Sequence, residues 1–411
     1  KYNTGMINED ETRAWIDPLL SQVRVHEPDN ARARAMELAF NLTIFENAVQ
    51  REQVEAMTAE LQELLLVLPT ETMIRGYMAA VMYQYFQDDQ RAIDVLQAGL
   101  LIDPLDPELH RWMGRIYIDN RQLDKARASL TRSLELAPDN PNSYGTMTEL
   151  ELEANNLPAA LDWMRQASEV DRQDHEWAAA IARDLYRLVL PEEGDYWFSR
   201  VKALAPSSGI VRSLEVERAV ARKETDQVIA LASSIIADQV DDRQGAWSAT
   251  IFNYTDTMLS EGRAQEAYDY LVSLRPEITQ YDQLAPGVHG LTMQWASIGL
   301  MSGFESIENR QAAWEQFSAQ LDASGIPWKQ DPADNNFTWD HLMKGEVEPA
   351  IEHFLEYELN EPLASNLNRH RKRVYPLFGP LYEDPRVAAR LNEDAEQFAA
   401  LREEVRDMLQ Q

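Results

Sequence analysis

No cysteine occurs among the 411 residues. Disulfides, thiol catalysis and cysteine metal sites are therefore excluded. Basic residues are scarce, with 38 Lys and Arg against 69 Asp and Glu, a formal net charge of −31. A free-standing nucleic-acid binder needs a basic surface to neutralise phosphates, so direct nucleic-acid binding by this chain is not expected. Docking onto an anionic lipid surface is disfavoured for the same reason. Long apolar runs are missing too. The strongest, residues 64–68, is far shorter than the roughly 18 residues of a membrane span.

Motifs that carry chemistry are equally sparse. No GxxxxGK[ST] phosphate loop, GxGxxG turn, GxSxG elbow, HExxH pair or calcium-binding loop occurs. The seven histidines, at 26, 110, 175, 289, 341, 353 and 370, are scattered, and no two share a ligand spacing on one helical turn. Metal sites need ligands clustered at short range, so neither metal nor cofactor is expected. Acidic pairs such as Asp241-Asp242 read as solvated loop charge. Charged residues at 26% and hydrophobic residues at 45% are nonetheless globular values, which argues against global disorder.

What the sequence does have is a period. Pro104, Pro138, Arg172 and Pro206 stand 34 residues apart. Ala92, Ala126, Ala160 and Gly194 keep the same spacing, as do Leu96, Leu130, Met164 and Phe198. A fourth column reads Ile102, Leu136, Val170, Leu204. Such a period signals two packed helices per unit. The small column lets helix B approach helix A closely, the next two columns extend an apolar face along helix B, and proline closes the unit. A pair cannot bury its face alone, so units stack. No stretch alternates with period two, and no sheet is expected.

Residues 107–140, PELHRWMGRIYIDNRQLDKARASLTRSLELAPDN, carry the most complete unit. It resembles a tetratricopeptide repeat through Gly114, Tyr117, Ala126, Leu130 and Pro138. Residues 73–106 match through Ala80, Tyr83, Ala92 and Pro104, and 175–208 through Gly194, Phe198 and Pro206. Residues 141–174 keep Ala160 and Ala167 but have Thr148 and Glu151 where Gly and Tyr are usual. The resemblance implies an all-α, TPR-like helical-repeat right-handed superhelix (α-solenoid). The expected organisation is a flexible arm at 1–8, degenerate helical repeats over 9–72 and four regular units over 73–208. Irregular TPR-like pairs over 209–323, a loop at 324–336, and a last repeat-like pair with capping helices over 337–411 follow.

In this family the fifth and ninth positions of a unit line the concave groove. The resemblance therefore implies a peptide-binding groove carrying Tyr77, Arg111, Arg115, Glu149, Arg183 and Arg187. Arginines beside aromatics suit a carboxylate-bearing peptide. The plainer reading is that these arginines only pair with nearby acids between repeats. The Lys and Asn pattern of the carboxylate-clamp subclass is absent, since Tyr77 with Val81 and Arg111 with Arg115 stand there. RHRKR at 369–373, the densest basic run, reads as a helix segment paired with acidic neighbours. Most of the ten tryptophans, Trp112, Trp163, Trp177, Trp197 and Trp247 among them, read as packing between helices.

Residues 374–398 resemble the segment that closes TPR regions in CadC-like bacterial winged-helix regulators and related adenylate cyclase-associated proteins. Leu381, Asp384, Pro385 and Arg386 match, while Val387 replaces the usual aromatic. The chain begins Lys1-Tyr2, and the expectation is a cleaved leader or a segment of a longer protein. The periplasm is the favoured compartment and the cytoplasm the alternative. The expected function is a non-catalytic protein- or peptide-binding scaffold, the sensing and association module of a bacterial signalling or transcription-regulatory protein. Self-association as a homodimer is an added alternative. A structural scaffold of an envelope or secretion assembly is a rival, as is an enzyme with a site in the groove or around His289, Asp340 and His341.

Overall fold

The computed structural model describes residues 30–44, 51–238, 246–326, 336–365 and 375–410, with isolated positions at 18, 21–23, 25–26, 328 and 367. The arm at 1–8, Asp241-Asp242, RHRKR and most of the 324–336 loop lie outside the described residues. The described residues are helical, with no strand among them. The protein is an all-α helical-repeat solenoid.

The helices come in pairs. They run α1 (Ala31–Ile44), α2 (Arg51–Val67), α3 (Thr72–Gln84), α4 (Asp89–Ile102), α5 (Pro107–Asp119), α6 (Leu123–Leu136), α7 (Pro141–Glu153), α8 (Leu157–Val170), α9 (Glu176–Arg187) and α10 (Pro191–Leu204). Then follow α11 (Gly209–Ala221), α12 (Thr225–Asp238), α13 (Ala246–Ser260), α14 (Ala264–Leu274), α15 (Gly287–Met301), α16 (Ile307–Ser324), α17 (Asn336–Met343), α18 (Val347–His353), α19 (Gly379–Glu383) and α20 (Pro385–Leu409).

Local chemistry sets the helix starts. Asp106 accepts hydrogen bonds from the backbone N–H of Glu108 and Leu109, and Pro107 opens α5. Asn140 with Pro141 does the same for α7. Asp384 with Pro385 opens α20. A side-chain acceptor before a proline satisfies the orphan donors of the first turn and presets φ. The D-P-R of the C-terminal segment therefore has a mechanical role. Asp384 caps α20 and also takes Arg386 Nε at 3.0 Å, while Arg386 Nη2 reaches Glu348 at 2.8 Å. The Arg386 guanidinium holds the Asp384 carboxyl down at about 2.

The turn from helix A to helix B carries a feature that the columns did not disclose. Gln87, Arg121, Asn155, Val189 and Lys223 all adopt positive φ, between 53° and 60°. They too recur every 34 residues. The turn geometry demands a left-handed residue at this point, whichever side chain is present. Asparagine tolerates that conformation, but a β-branched valine is strained there.

By its contacts the chain divides into two compact units. Unit 1 comprises residues 1–154 and 162–171, and unit 2 comprises 155–161 and 172–411. Unit 1 buries its apolar residues in small successive clusters. One gathers Leu38, Leu61, Ile74 and Met78. The next gathers Ala92, Leu96, Leu109 and Ile116, and the third Ala126, Leu130, Met147 and Leu150. Each is closed by adjacent helices, as expected of a stack in which a repeat touches only its neighbours. Unit 2 instead has one continuous core from Val216 to Leu391, built around Trp247, Trp314, Phe317, Phe354 and Phe378. The C-terminal helix α20 buries Val387, Leu391, Leu401 and Val405. Near its end Arg406 meets Glu193 at the start of α10 at 3.3 Å.

The small column is fully buried at Ala92, Ala126 and Ala160 and buried at Gly194. The column four residues on is buried as well, at Leu96, Leu130, Met164 and Phe198. The fourth column is not part of the buried face. Ile102, Val170 and Leu204 are 41%, 37% and 37% exposed. Each is the last residue of its helix, where the chain leaves the neighbouring helices.

One polar network ties three helices of unit 2 together. Asp195 on α10 accepts from Arg218 Nε at 2.7 Å, from Arg222 Nη2 at 2.8 Å and from the Tyr186 hydroxyl at 2.9 Å. Burial alone would raise the Asp195 carboxyl. The hydrogen bonds from Arg218 and Tyr186 and the charges of Arg218 and Arg222 outweigh it and hold the group below its ordinary value. The Tyr186 hydroxyl is pushed up by burial and by Asp195.

Three outcomes are expected. A Cβ on Gly114 would lie 2.5 Å from Leu130 Cγ, whereas one on Gly209 would meet nothing. Gly114→Ala should therefore cost about 1–3 kcal/mol by overpacking, and Gly209→Ala should be neutral or stabilise by about 0.5 kcal/mol, both read by urea unfolding. Val189→Gly should raise the thermal midpoint, because relief of about 1–2 kcal/mol of left-handed strain exceeds the entropic cost of glycine. Asp195→Asn should cost about 2 kcal/mol at neutral pH. The folded-state value of Asp195 is depressed, so its stabilisation is complete above the ordinary value of 3.8 and is lost as the pH falls through the folded value. The deficit of the variant should shrink below that pH, and a deficit that stays constant down to pH 2 would refute the assignment.

Candidate functional site

Two arrangements merit chemical scrutiny, one on the A helices and one inside unit 2. In unit 1, Tyr77 on α3 is half-buried, and burial followed by the charge of Glu108 raises its hydroxyl. Arg111 on α5 donates from Nε to Glu108 at 2.9 Å and lies 4.8 Å from the centre of the Trp112 ring. Arg115, one turn on, bonds Glu149 on α7 and lies 3.7 Å from Asp119. Arg115 and Glu149 hold equivalent positions of consecutive units, so this contact is an ion pair between repeats. The structure thus joins two of the expected groove residues to each other, and Arg111 to an acid on its own helix.

In unit 2, Arg183 and Arg187 lie one turn apart on α9. Arg187 has Asp184 Oδ1 and Glu217 Oε1 each at 3.8 Å, too far for hydrogen bonds. Arg183 is partly buried and has no hydrogen bond or ion pair among the described residues.

The second arrangement is a cavity of about 500 Å3 lying wholly within unit 2. Phe252 on α13, Trp295 on α15, Trp339 on α17, and Tyr375 and Phe378 after it form most of the wall. Trp295 is fixed edgewise against Trp314 at 5.3 Å and Trp328 at 5.9 Å. Trp339 meets Tyr375 edge-on at 5.5 Å and Phe378 at 5.6 Å. Such rings form stiff apolar walls. Gly299 admits them, since a Cβ there would come within 3.1 Å of both Trp339 and Tyr375.

The polar lining is Arg187, Glu217, Asn253, Asp256 and Asn336. The Tyr375 hydroxyl lies 3.3 Å from Thr255 Oγ1 and also bonds the Asp256 carboxylate. Burial pushes that hydroxyl well above its ordinary range, and the Asp256 charge adds to the effect. Asn336 Nδ2 donates to the Trp328 carbonyl at 2.6 Å. Two buried donors have no acceptor among the described residues, Arg187 Nε and the Trp339 indole N–H.

Sequence reasoning included Arg187 for a different reason and missed the rest of the cavity. The remaining lining comes from α11, α13, α15, α17 and the segment before α19, so no local spacing could gather it. The only usable signal was the density of Trp, Tyr and Phe beyond residue 247, which reads as packing.

The residues weighed for an enzyme do not converge. His289 stacks on Trp247 with ring centres 4.0 Å apart. His341 Nδ1 lies 2.6 Å from Glu346 Oε2. Asp340 accepts from Trp314 Nε1 and Lys344 Nζ, each at 2.8 Å. Each is engaged in local structure, and none of the three lines the cavity. Among the described residues no three His, Asp or Glu side chains gather as metal ligands, and no helix is long and apolar enough to cross a membrane.

Comparison with known proteins bears on the repeats. A tetratricopeptide-repeat family model matches residues 86–141 and 118–183. No curated protein matches the chain. Among solved structures, YrrB, described as a TPR protein with an unusual peptide-binding site, is 13% identical with a TM-score of 0.30, over 53% of this chain and 93% of its own. The TPR domain of P58(IPK) is 12% identical with a TM-score of 0.25, over 87% of this chain and 98% of its own. A chain of Naa15/Naa10 bound to HypK-THB is 11% identical with a TM-score of 0.30, over 94% of this chain and 69% of its own. The matched residues, 86–183, are similar to tetratricopeptide repeats.

Proposed function

We propose that the protein is a non-catalytic scaffold that binds a protein or peptide through the A-helix faces of its repeats, and that it serves as the sensing and association module of a bacterial signalling or transcription-regulatory protein. The presence of tandem tetratricopeptide repeats supports the scaffold reading, since stacked pairs present extended binding surfaces. The D-P-R segment at 384–386 is the support for the regulatory context.

The observation that carries the binding reading is Arg183. A partly buried guanidinium with no partner among the described residues holds five donors in reserve. Arginine presents them as a planar fork that suits a carboxylate. Arg111 and Arg115 are already engaged by Glu108 and Glu149, so a ligand reaching them exchanges one carboxylate for another. Arg183 has no such competitor and is the anchor of this reading in unit 2, while Tyr77 and the two paired arginines offer a separate surface in unit 1.

The full chain, immobilised and panned against a phage-displayed random peptide library, should enrich peptides rich in carboxylates. Arg183→Glu should reduce capture of the enriched peptides by about tenfold, the worth of one hydrogen bond to a charged group. The double reversal Arg111→Glu with Arg115→Glu tests the unit 1 surface in the same way, with helicity and melting compared to the parent. Unchanged capture by both variants would sink the groove assignment.

A further inference from the structure

The cavity of unit 2 has unsatisfied chemistry of one kind. Arg187 Nε and the Trp339 indole N–H are buried donors without acceptors among the described residues. Leaving such groups unpaired costs free energy, so a site that retains two of them is matched to an acceptor that arrives from outside. The carboxylates in the wall are in the opposite condition. Asp256 takes the Tyr375 hydroxyl, and Glu217 faces the Arg187 charge at 3.8 Å. The wall therefore calls for an acceptor and not for another donor.

Charge narrows the choice. Among the described residues the wall carries one cation, Arg187, and two carboxylates, Glu217 and Asp256, with Asp184 also 3.8 Å from Arg187. An anionic ligand would meet that excess at short range in a poorly solvated space. A cation would find the carboxylates engaged and the two orphan donors still orphaned. The remaining wall is Phe252, Trp295, Trp339, Tyr375 and Phe378, and the volume of about 500 Å3 lies within the range of small-ligand sites.

We propose that this cavity binds a neutral, mainly apolar group carrying a carbonyl acceptor, such as an aromatic ring beside an amide. The ring packs among the aromatic walls and the carbonyl accepts from Trp339 Nε1 and Arg187. Such a group belongs either to a polypeptide segment or to a free small amide. The inference shares Arg187 with the expected groove but none of the anchors used above, because Arg111, Arg115 and Arg183 line no part of this cavity.

Three probes that share one aromatic body test it on the full chain by calorimetry and by saturation-transfer NMR. They are N-acetyl-phenylalaninamide (neutral), N-acetyl-phenylalanine (an anion) and phenylalaninamide (a cation). The neutral probe should bind saturably and tightest of the three. Trp339→Phe keeps a ring and removes the N–H, and should weaken it about fivefold, the worth of one ordinary hydrogen bond. Ala249 lines the cavity and is only partly buried, so Ala249→Trp should fill the space and abolish binding with the melting temperature retained. Should that variant fail to fold, Phe252→Ala at the exposed mouth should still weaken the neutral probe. Lengthening the probe with glycine on both sides separates the sources. Tighter binding identifies a polypeptide segment and weaker binding a free molecule, and either upholds the chemistry. The proposal is overturned if the neutral probe does not bind saturably, if the cation binds tighter, or if folded Ala249→Trp binds as the parent does.

Discussion

The repeats depend on how closely two helices of one pair can approach. At Gly114 the backbone of α5 lies against Leu130 of α6, and at Gly194 the backbone of α10 lies against the ring of Tyr186 on α9. The packing is reciprocal, since the small residue falls on helix A in one pair and on helix B in another. Small residues on either helix permit the approach, Gly114 on helix A and Ala92, Ala126, Ala160 and Gly194 on helix B. Once that distance is fixed, the large residue four positions on, Leu96, Leu130, Met164 or Phe198, fills the space between helices. The left-handed turn residue follows from the same constraint, because helix B must fold back at once to make the contact. Val189 accepts strain there, which indicates that the packing outweighs about 1–2 kcal/mol of backbone cost.

Charge is subordinate to this packing and is arranged around it. The net charge of −31 goes with arginines that pair between the repeats of unit 1. Arg127 bonds the buried Glu151, and Arg115 bonds Glu149, both between α7 and the preceding pair. Glu151 is buried, so removing Arg127 withdraws an ion pair from a carboxylate poorly reached by water. These pairs therefore specify how one unit sits on the next. They also explain why arginines at groove positions are poor evidence of binding on their own, and why Arg183, which lacks such a partner among the described residues, carries the weight.

The regular repeats were legible because their information is local and periodic. Pro104, Ala126, Leu130 and Gly114 each report a constraint that lies within one pair, and a period of 34 repeats it until it is unmistakable. The exposed fourth column was misread for a related reason. Ile102, Val170 and Leu204 share the period but not the burial, since hydropathy at a helix end looks the same whether or not a neighbour covers it. The positive-φ turn escaped notice because Gln87, Arg121, Val189 and Lys223 have no shared chemistry, and only Asn155 is a residue one would expect there. The cavity was illegible in a stronger sense. Phe252, Trp339 and Tyr375 come together only through the tertiary arrangement of unit 2.

The loss of period and the presence of the cavity have one origin. In unit 1 the pairs α3 with α4 and α5 with α6 each join 13 residues to 14, and the apolar residues fall in small successive clusters. In unit 2 the helices become unequal, with 15 residues in α15, 18 in α16 and 8 in α17. A π-helical turn at Phe354–Glu358 breaks the ladder after α18. Unequal helices cannot close pairwise, and the mismatch is filled by large rings drawn from many elements into one core. Rings pack at fixed edge-to-face geometries and leave gaps that aliphatic side chains would close. A site with aromatic walls and unpaired donors therefore arises where the repeat rule lapses, while the regular units retain the surfaces that stacking leaves exposed.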